Sequence, residues 1–126
     1  METLGELNSD TTEAIADFLA AALPDCVAKG KTQYMLILSS HGSGFGFGGD
    51  EEIPGRRRLV QHNVNIATAI RQALDATEGA PEKLDVLGFD ACLQASLESL
   101  KDFQNVTKYY LASEATEPGT GKCLLC

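Results

Sequence analysis

The chain is short of positive charge: of its 126 residues, 10 are Lys or Arg against 18 Asp or Glu, for a formal charge of -8. Phosphate backbones select Lys and Arg gathered on one face, so this balance argues against nucleic acid as a partner. Long apolar runs are lacking too. Nothing approaches the roughly 18 consecutive apolar residues of a membrane span, and residues 1–9 have neither a basic n-region nor an apolar h-region. No membrane partner is expected, and the compartment stays open. With only 4 Pro, 12 Gly and a hydrophobic share of 44%, the composition argues against disorder, a collagen-like repeat and a mucin-like stalk. Cysteine is sparse as well. Cys26, Cys92, Cys123 and Cys126 are too few and too irregular for a disulfide scaffold and read as reduced thiols. Cys123 and Cys126 form a C-x-x-C, but with no second pair and only His41 and His62 elsewhere, no zinc site is expected.

What is present fits one domain with a core. Residues 10–23 place Ile15, Phe18, Leu19 and Ala22 on one helical face, with Asp10 and Glu13 as a capping pair and Pro24 as the stop. A turn at Gly30 and Lys31 leads into Y-M-L-I-L-S over 34–39, too short for a helix. Its unbroken apolar character predicts a parallel strand covered on both faces. The loop over 41–61 is glycine-rich, then acidic at Asp50 to Glu52, then basic at Arg56 to Arg58. Asn63 can cap a second helix buried through Ile66, Ile70, Ala73 and Leu74. L-D-V-L-G-F over 84–89 is a second strand. A third helix is expected from Cys92 or Leu93, packing through Leu93, Leu97 and Leu100, and residues 109–112 form a third strand. This alternation predicts an α/β fold: a mostly parallel three-strand sheet, ordered as in sequence, with helices on both faces.

Two features of the loops carry chemistry. Gly44, Gly46 and Gly49 match G-x-G-x-x-G directly after a strand. A dinucleotide fingerprint should then open a helix, whereas Asp50, Glu51, Glu52 and Pro54 follow, so nucleotide binding is the weakest reading. His41 and Cys92 each lie just past the carboxyl end of a strand, where open parallel sheets bind ligands. A thiol at a helix start is biased toward thiolate by the macrodipole, and an imidazole beside it can act as base and later protonate a leaving amine. The bland alternatives are a buried cysteine and a structural histidine.

His41-Gly42, followed about 50 residues later by Ala91-Cys92, echoes the caspase pattern. The segments Y-M-L-I-L-S-S-H-G-S-G-F-G, L-D-V-L-G-F-D-A-C-L-Q-A-S-L-E and K-Y-Y-L-A-S-E-A-T-E-P-G-T-G together resemble clostripain-like cysteine peptidases, relatives of caspases, gingipains, legumain and separase. The resemblance implies a partial caspase-like sandwich over 1–121 followed by an unrelated tail over 122–126. It implies Cys92 as nucleophile, His41 as base and the backbone amides of Gly42 and Cys92 as oxyanion donors. It places Asp90 in the pocket for the residue before the scissile bond, hence peptide or protein substrates cut after Arg or Lys; a turn or cap role for Asp90 is the alternative. An enzyme of that specificity could cut its own loop at Arg56, Arg57 or Arg58, which otherwise read as a solvated charge run. No cofactor is expected beyond the calcium that some relatives use. Glu114 and Glu117 receive no role, His62 decorates the start of the second helix, and Cys26 packs.

The chain departs from the pattern at Ser40, where relatives often have Asp, and at Lys122, where an aromatic is common. Clostripain-like domains also have a strand and helix upstream of this region and further elements after it. The missing strand would leave the 34–39 strand with an uncovered apolar edge, a place for self-association. The rival to an endopeptidase is therefore a non-catalytic fragment or pseudo-enzyme acting through that edge.

Overall fold

A computed structural model describes residues 11–49 and 60–116. Helix α1, Thr12–Ala28, starts at Thr11, whose hydroxyl accepts the Ala14 amide at 3.1 Å. The Thr11 cap stands where a pair of Asp10 with Glu13 was expected; Asp10 lies outside the described residues. Pro24 does not stop the helix, which runs one turn further. The stop is Gly30. It adopts φ +68°, its amide bonds the Val27 carbonyl at 2.9 Å and the Lys31 amide reaches the Cys26 carbonyl at 3.0 Å. This reversal needs a left-handed residue, which glycine supplies without a Cβ clash. Ile15, Leu19 and Leu23 are the buried stripe, while Phe18, expected inside, is 59% exposed.

Strand β1, Met35–Ser39, is followed by a two-stranded antiparallel ribbon of β2, Gly46–Phe47, and β3, Gln61–His62. The ribbon closes the base of what the sequence presented as one open loop. Helix α2, Asn63–Ala76, buries Ile66, Ile70 and Leu74. Its cap position is His62, and Asn63 is the first helical residue with its side chain turned inward. Strand β4 is Leu84–Asp90, helix α3 is Leu97–Phe103 and strand β5 is Thr107–Leu111.

The sheet runs β1-β4-β5, all parallel, in the expected order. Crossovers between parallel neighbours are right-handed, so two successive steps in one direction put α2 and α3 on the same side. Helix α1 packs on α2. Leu36 and Leu87 are buried on that side, and Phe89 meets Phe47, Phe103 and Tyr110 at ring distances of 5.3, 5.1 and 5.8 Å. Each large apolar side chain buried there contributes about 1.5–3 kcal/mol. Side chains alternate along a strand, and Met35, Ile37, Tyr109 and Leu111 on the opposite side are exposed, Tyr109 by 71%. The run over 34–39 calls for cover on both faces; the described residues supply it on one, and all three helices lie there. Strand β1 is an edge strand among the described residues.

Helix α3 is also shorter than expected. It begins at Ser96, which accepts the Ser99 amide at 3.1 Å, and it buries Ser99 and Phe103 while Leu97 and Leu100 face outward. Leu93, outside the helix, is exposed too. Apolar spacing alone gave the wrong face because Ser99 and Gln94 bury polar atoms in a network that periodicity does not register.

Candidate active site

Strands β1 and β4 pair directly, Ser39 opposite Asp90, so the residues that follow each strand emerge side by side. Ser40 donates its amide to the Asp90 carbonyl at 3.3 Å, carrying the pairing one step past the strand. Then the two chains touch. A Cβ on Gly42 would strike the Cys92 carbonyl oxygen and would lie 3.0 Å from the Ala91 Cβ and 3.1 Å from the Cys92 nitrogen. Only glycine allows this approach. It seats the segment carrying His41 on the backbone of Cys92, with His41 exposed and Cys92 half-buried.

Cys92 does not start a helix. Leu93 takes φ 56°, a left-handed conformation that costs a branched residue about 1–3 kcal/mol. Its amide bonds the Ala115 carbonyl at 3.0 Å and that of Ala95 the Ser113 carbonyl at 2.9 Å. The segment after β5 therefore holds the Cys92 turn in place, and α3 begins five positions beyond the cysteine. A macrodipole acts over the first turn only, so Cys92 lies outside the reach of α3.

Asp90 closes β4 on the side of the sheet where the described residues place no helix, and its carboxylate accepts the Ser39 hydroxyl at 3.2 Å. A half-buried carboxylate in that place can still take a cation from solvent. Glu114 lies exposed in the segment beside the Cys92 loop. His62 is exposed at the start of α2, and Cys26 packs against the core. Arg56 to Arg58, Asp50 to Glu52, Glu117, Cys123, Cys126 and the tail over 122–126 lie outside the described residues.

The glycine loop does not open a helix; Gly46 and Phe47 enter the ribbon, and the loop's carbonyls are engaged by Gln94, Ser96, Ser99 and the Asn63 amide. Gln94, Ser96 and Ser99 were not singled out from the sequence, and Asn63 was expected only as a helix cap. The available signal was weak: polar Gln94, Ser96 and Ser99 stand where a helix starting at Cys92 should turn apolar residues inward.

Parallel neighbours, a His-Gly and an Ala-Cys crossing at their carboxyl ends and helices on the sheet behind them describe a caspase-like arrangement. A model of the clostripain family matches residues 2–123. The chain belongs to the clostripain family. Among solved structures, a secreted C11 cysteine protease from Bacteroides thetaiotaomicron, in complex with an irreversible peptide inhibitor, matches with a TM-score of 0.68 at 21% identity, over 91% of this chain and 31% of that one. A second structure of a secreted C11 cysteine protease from the same organism, "iotapain", gives 0.62 at 21% identity, over 89% of this chain and 33% of that one. An inactive zymogen C11 protease from Parabacteroides distasonis gives 0.62 at 25% identity, over 96% of this chain and 31% of that one. This clostripain-family chain thus spans about a third of the length of these relatives. No curated protein matches it.

Proposed function

We propose that the chain carries the Cys-His dyad of an endopeptidase cleaving after Arg or Lys. The observation that supports this best is the seating of Gly42 on the Cys92 backbone, which draws the His41 and Cys92 segments together at the carboxyl end of paired strands. In this reading the Cys92 Sγ attacks the scissile carbonyl carbon while its proton passes to His41. The tetrahedral oxyanion is met by the amides of Gly42 and Cys92, whose close approach suits two converging donors; one such donor is typically worth about 2.7–4 kcal/mol. His41 then protonates the leaving amine, and water cleaves the thioester. Asp90 receives the basic side chain before the scissile bond, and its half-buried place at the carboxyl end of β4 keeps it within reach of substrate. Among the described residues no group of three His, Cys, Asp or Glu could hold a metal ion, and no step of this reading is routed through calcium.

A fluorogenic peptide ending in Arg and an arginyl affinity label, offered to wild type and to Cys92→Ala, test the reading. Cys92-dependent turnover supports it. Labelling without turnover indicates an assembled but incomplete cleft. Self-processing at Arg56, Arg57 or Arg58 is part of the same proposal, and mass spectrometry of purified protein checks it. Intact wild-type chain, under conditions where the peptide is hydrolysed, would sink that part.

A second reading is favoured by the exposed apolar face of Met35, Ile37, Tyr109 and Leu111 and by the edge position of β1. There the chain is a non-catalytic fragment that associates through the sheet. Neither turnover nor labelling in a folded protein that self-associates on sedimentation supports this second reading.

A further inference from the structure

The loop from Gly44 to Gly46 has little side chain with which to pack, and it is held instead by its backbone. Three successive carbonyls are each engaged. Gly44 O accepts from Ser99 Oγ at 2.7 Å and from Ser96 Oγ at 3.1 Å. Phe45 O accepts the Asn63 amide at 3.2 Å, and Gly46 O accepts Gln94 Nε2 at 2.6 Å. Gln94 is itself fixed: its Oε1 accepts Asn63 Nδ2 at 3.1 Å and its backbone carbonyl accepts the Tyr110 hydroxyl at 2.9 Å. Gln94, Asn63 and Ser99 are each at 0% relative accessibility.

Apolar side chains of the same volume would fill this space at lower cost, since Asn63 Oδ1 is left without a partner. What amides add is direction. The gripped loop folds straight back on the histidine segment: Gly48 donates its amide to His41 O at 2.8 Å, Ser43 donates to Gly46 O at 3.0 Å, and Gly42 bridges Phe47. On the other side, Gln94 is two residues from Cys92. One side chain therefore spans from the cysteine loop to the loop that holds histidine.

We infer that Gln94 is a positioning residue, which clamps Gly46 and thereby sets His41 against Cys92. This rests on the dyad reading above. Misplacement of a reacting group by about 1 Å can cost roughly 100-fold in rate, so the clamp matters to kcat more than to KM.

The test compares wild type, His41→Ala, Gln94→Met and Gln94→Glu in the full chain. Methionine keeps the volume and removes both polar ends; glutamate keeps an acceptor for Asn63 and loses the donor to Gly46. Iodoacetamide alkylation of Cys92 is followed by peptide mapping across pH, amide exchange is read at Gly46 and Phe47, and peptide hydrolysis is measured where it occurs. Both Gln94 variants should speed exchange at Gly46 and Phe47 and move the Cys92 alkylation profile toward that of His41→Ala. Where turnover is present, kcat should fall roughly 10- to 100-fold with KM within about twofold. If Gln94→Met fails to fold, Ser99→Ala, which removes the hydroxyl that donates to Gly44 O and accepts from Asn63 Nδ2 and Ser96 Oγ while leaving the Gln94 bond to Gly46 in place, should give a smaller shift in the same direction. Folded Gln94 variants with wild-type exchange and a wild-type profile overturn the inference. If His41→Ala itself leaves the Cys92 profile unchanged, the dyad fails and the positioning role with it. That failure is recognised in a variant that never touches Gln94.

Discussion

At the amino end of the sheet one carboxylate adds to the backbone pairing by reaching both neighbouring strands. Asp85 accepts the Tyr34 amide at 2.8 Å and the Lys108 ammonium at 2.8 Å, linking the entries of three strands through a group in contact with water. At the carboxyl end the joining is done by neutral amides and hydroxyls buried out of water, by a glycine pressed on a backbone and by a left-handed leucine. The first arrangement tolerates error, because water replaces any lost bond. The second does not: a buried polar atom that loses its partner costs about 1–3 kcal/mol. The less forgiving construction surrounds His41 and Cys92.

The largest expected effect lies just beneath the carboxyl end. Phe89 stands among Phe47, Phe103 and Tyr110 and is 2% exposed. Phe89→Ala should destabilise by about 3–5 kcal/mol in urea denaturation. A loss under about 1 kcal/mol would mean that the aromatic cluster does not support that end. Next comes Gly42→Ala, whose new methyl meets the Cys92 carbonyl. Overpacking of this kind costs about 1–3 kcal/mol, and the separation of the two segments should slow Cys92-dependent labelling about 100-fold. Thermal melting and the arginyl label read the two effects separately.

How far these contrasts were legible in the sequence differs by region. The three strands, their order and the meeting of the segments that follow the first two strands come from apolar runs and parallel-sheet rules, because burial writes itself into composition. The start of α3 does not. Leu93, Leu97 and Leu100 repeat at helical spacing, yet Leu93 turns left-handed under bonds from residues 113–115, which are distant in sequence. Pro24 looked like a stop because a proline usually is one; the Gly30 reversal one turn later ends the helix instead. Asn63 looked like a cap and is an interior hydrogen-bond donor. Polar residues that bond each other across 31 or 36 positions leave no periodic trace. For the same reason the Gln94 network stayed hidden while the pairing of the strands before His41 and Cys92 did not.

A smaller effect is expected at Tyr110, whose hydroxyl donates to the Gln94 carbonyl at 2.9 Å. Tyr110→Phe removes that bond and should cost about 0.5–1.5 kcal/mol. Burial pushes the Tyr110 phenol above its ordinary range, so the folded chain keeps a proton that the unfolded chain releases above about pH 10. Its contribution is complete below that pH and is lost as pH rises beyond it. The stability gap between wild type and Tyr110→Phe should hold constant through neutral pH and close on the alkaline side.

The smallest effect should come from Asp85→Asn, and it probes the other end. The amide keeps an acceptor for Tyr34 and loses the charge that faces Lys108. The Lys108 ammonium, then the Tyr34 amide, hold the Asp85 carboxyl below its usual range. A depressed carboxyl stabilises the folded chain above the unfolded value of about 3.9 and loses that contribution as pH falls through the folded one. Melting curves should show a slight deficit for Asp85→Asn at pH 7, closing in acid and shrinking in high salt, where exposed charges are screened. A deficit as large as that of Tyr110→Phe, and insensitive to salt, would break the contrast between the ends. It would mean that Asp85 acts through the strand amides rather than through an exposed ion pair, and that both ends of the sheet are held by directed hydrogen bonds.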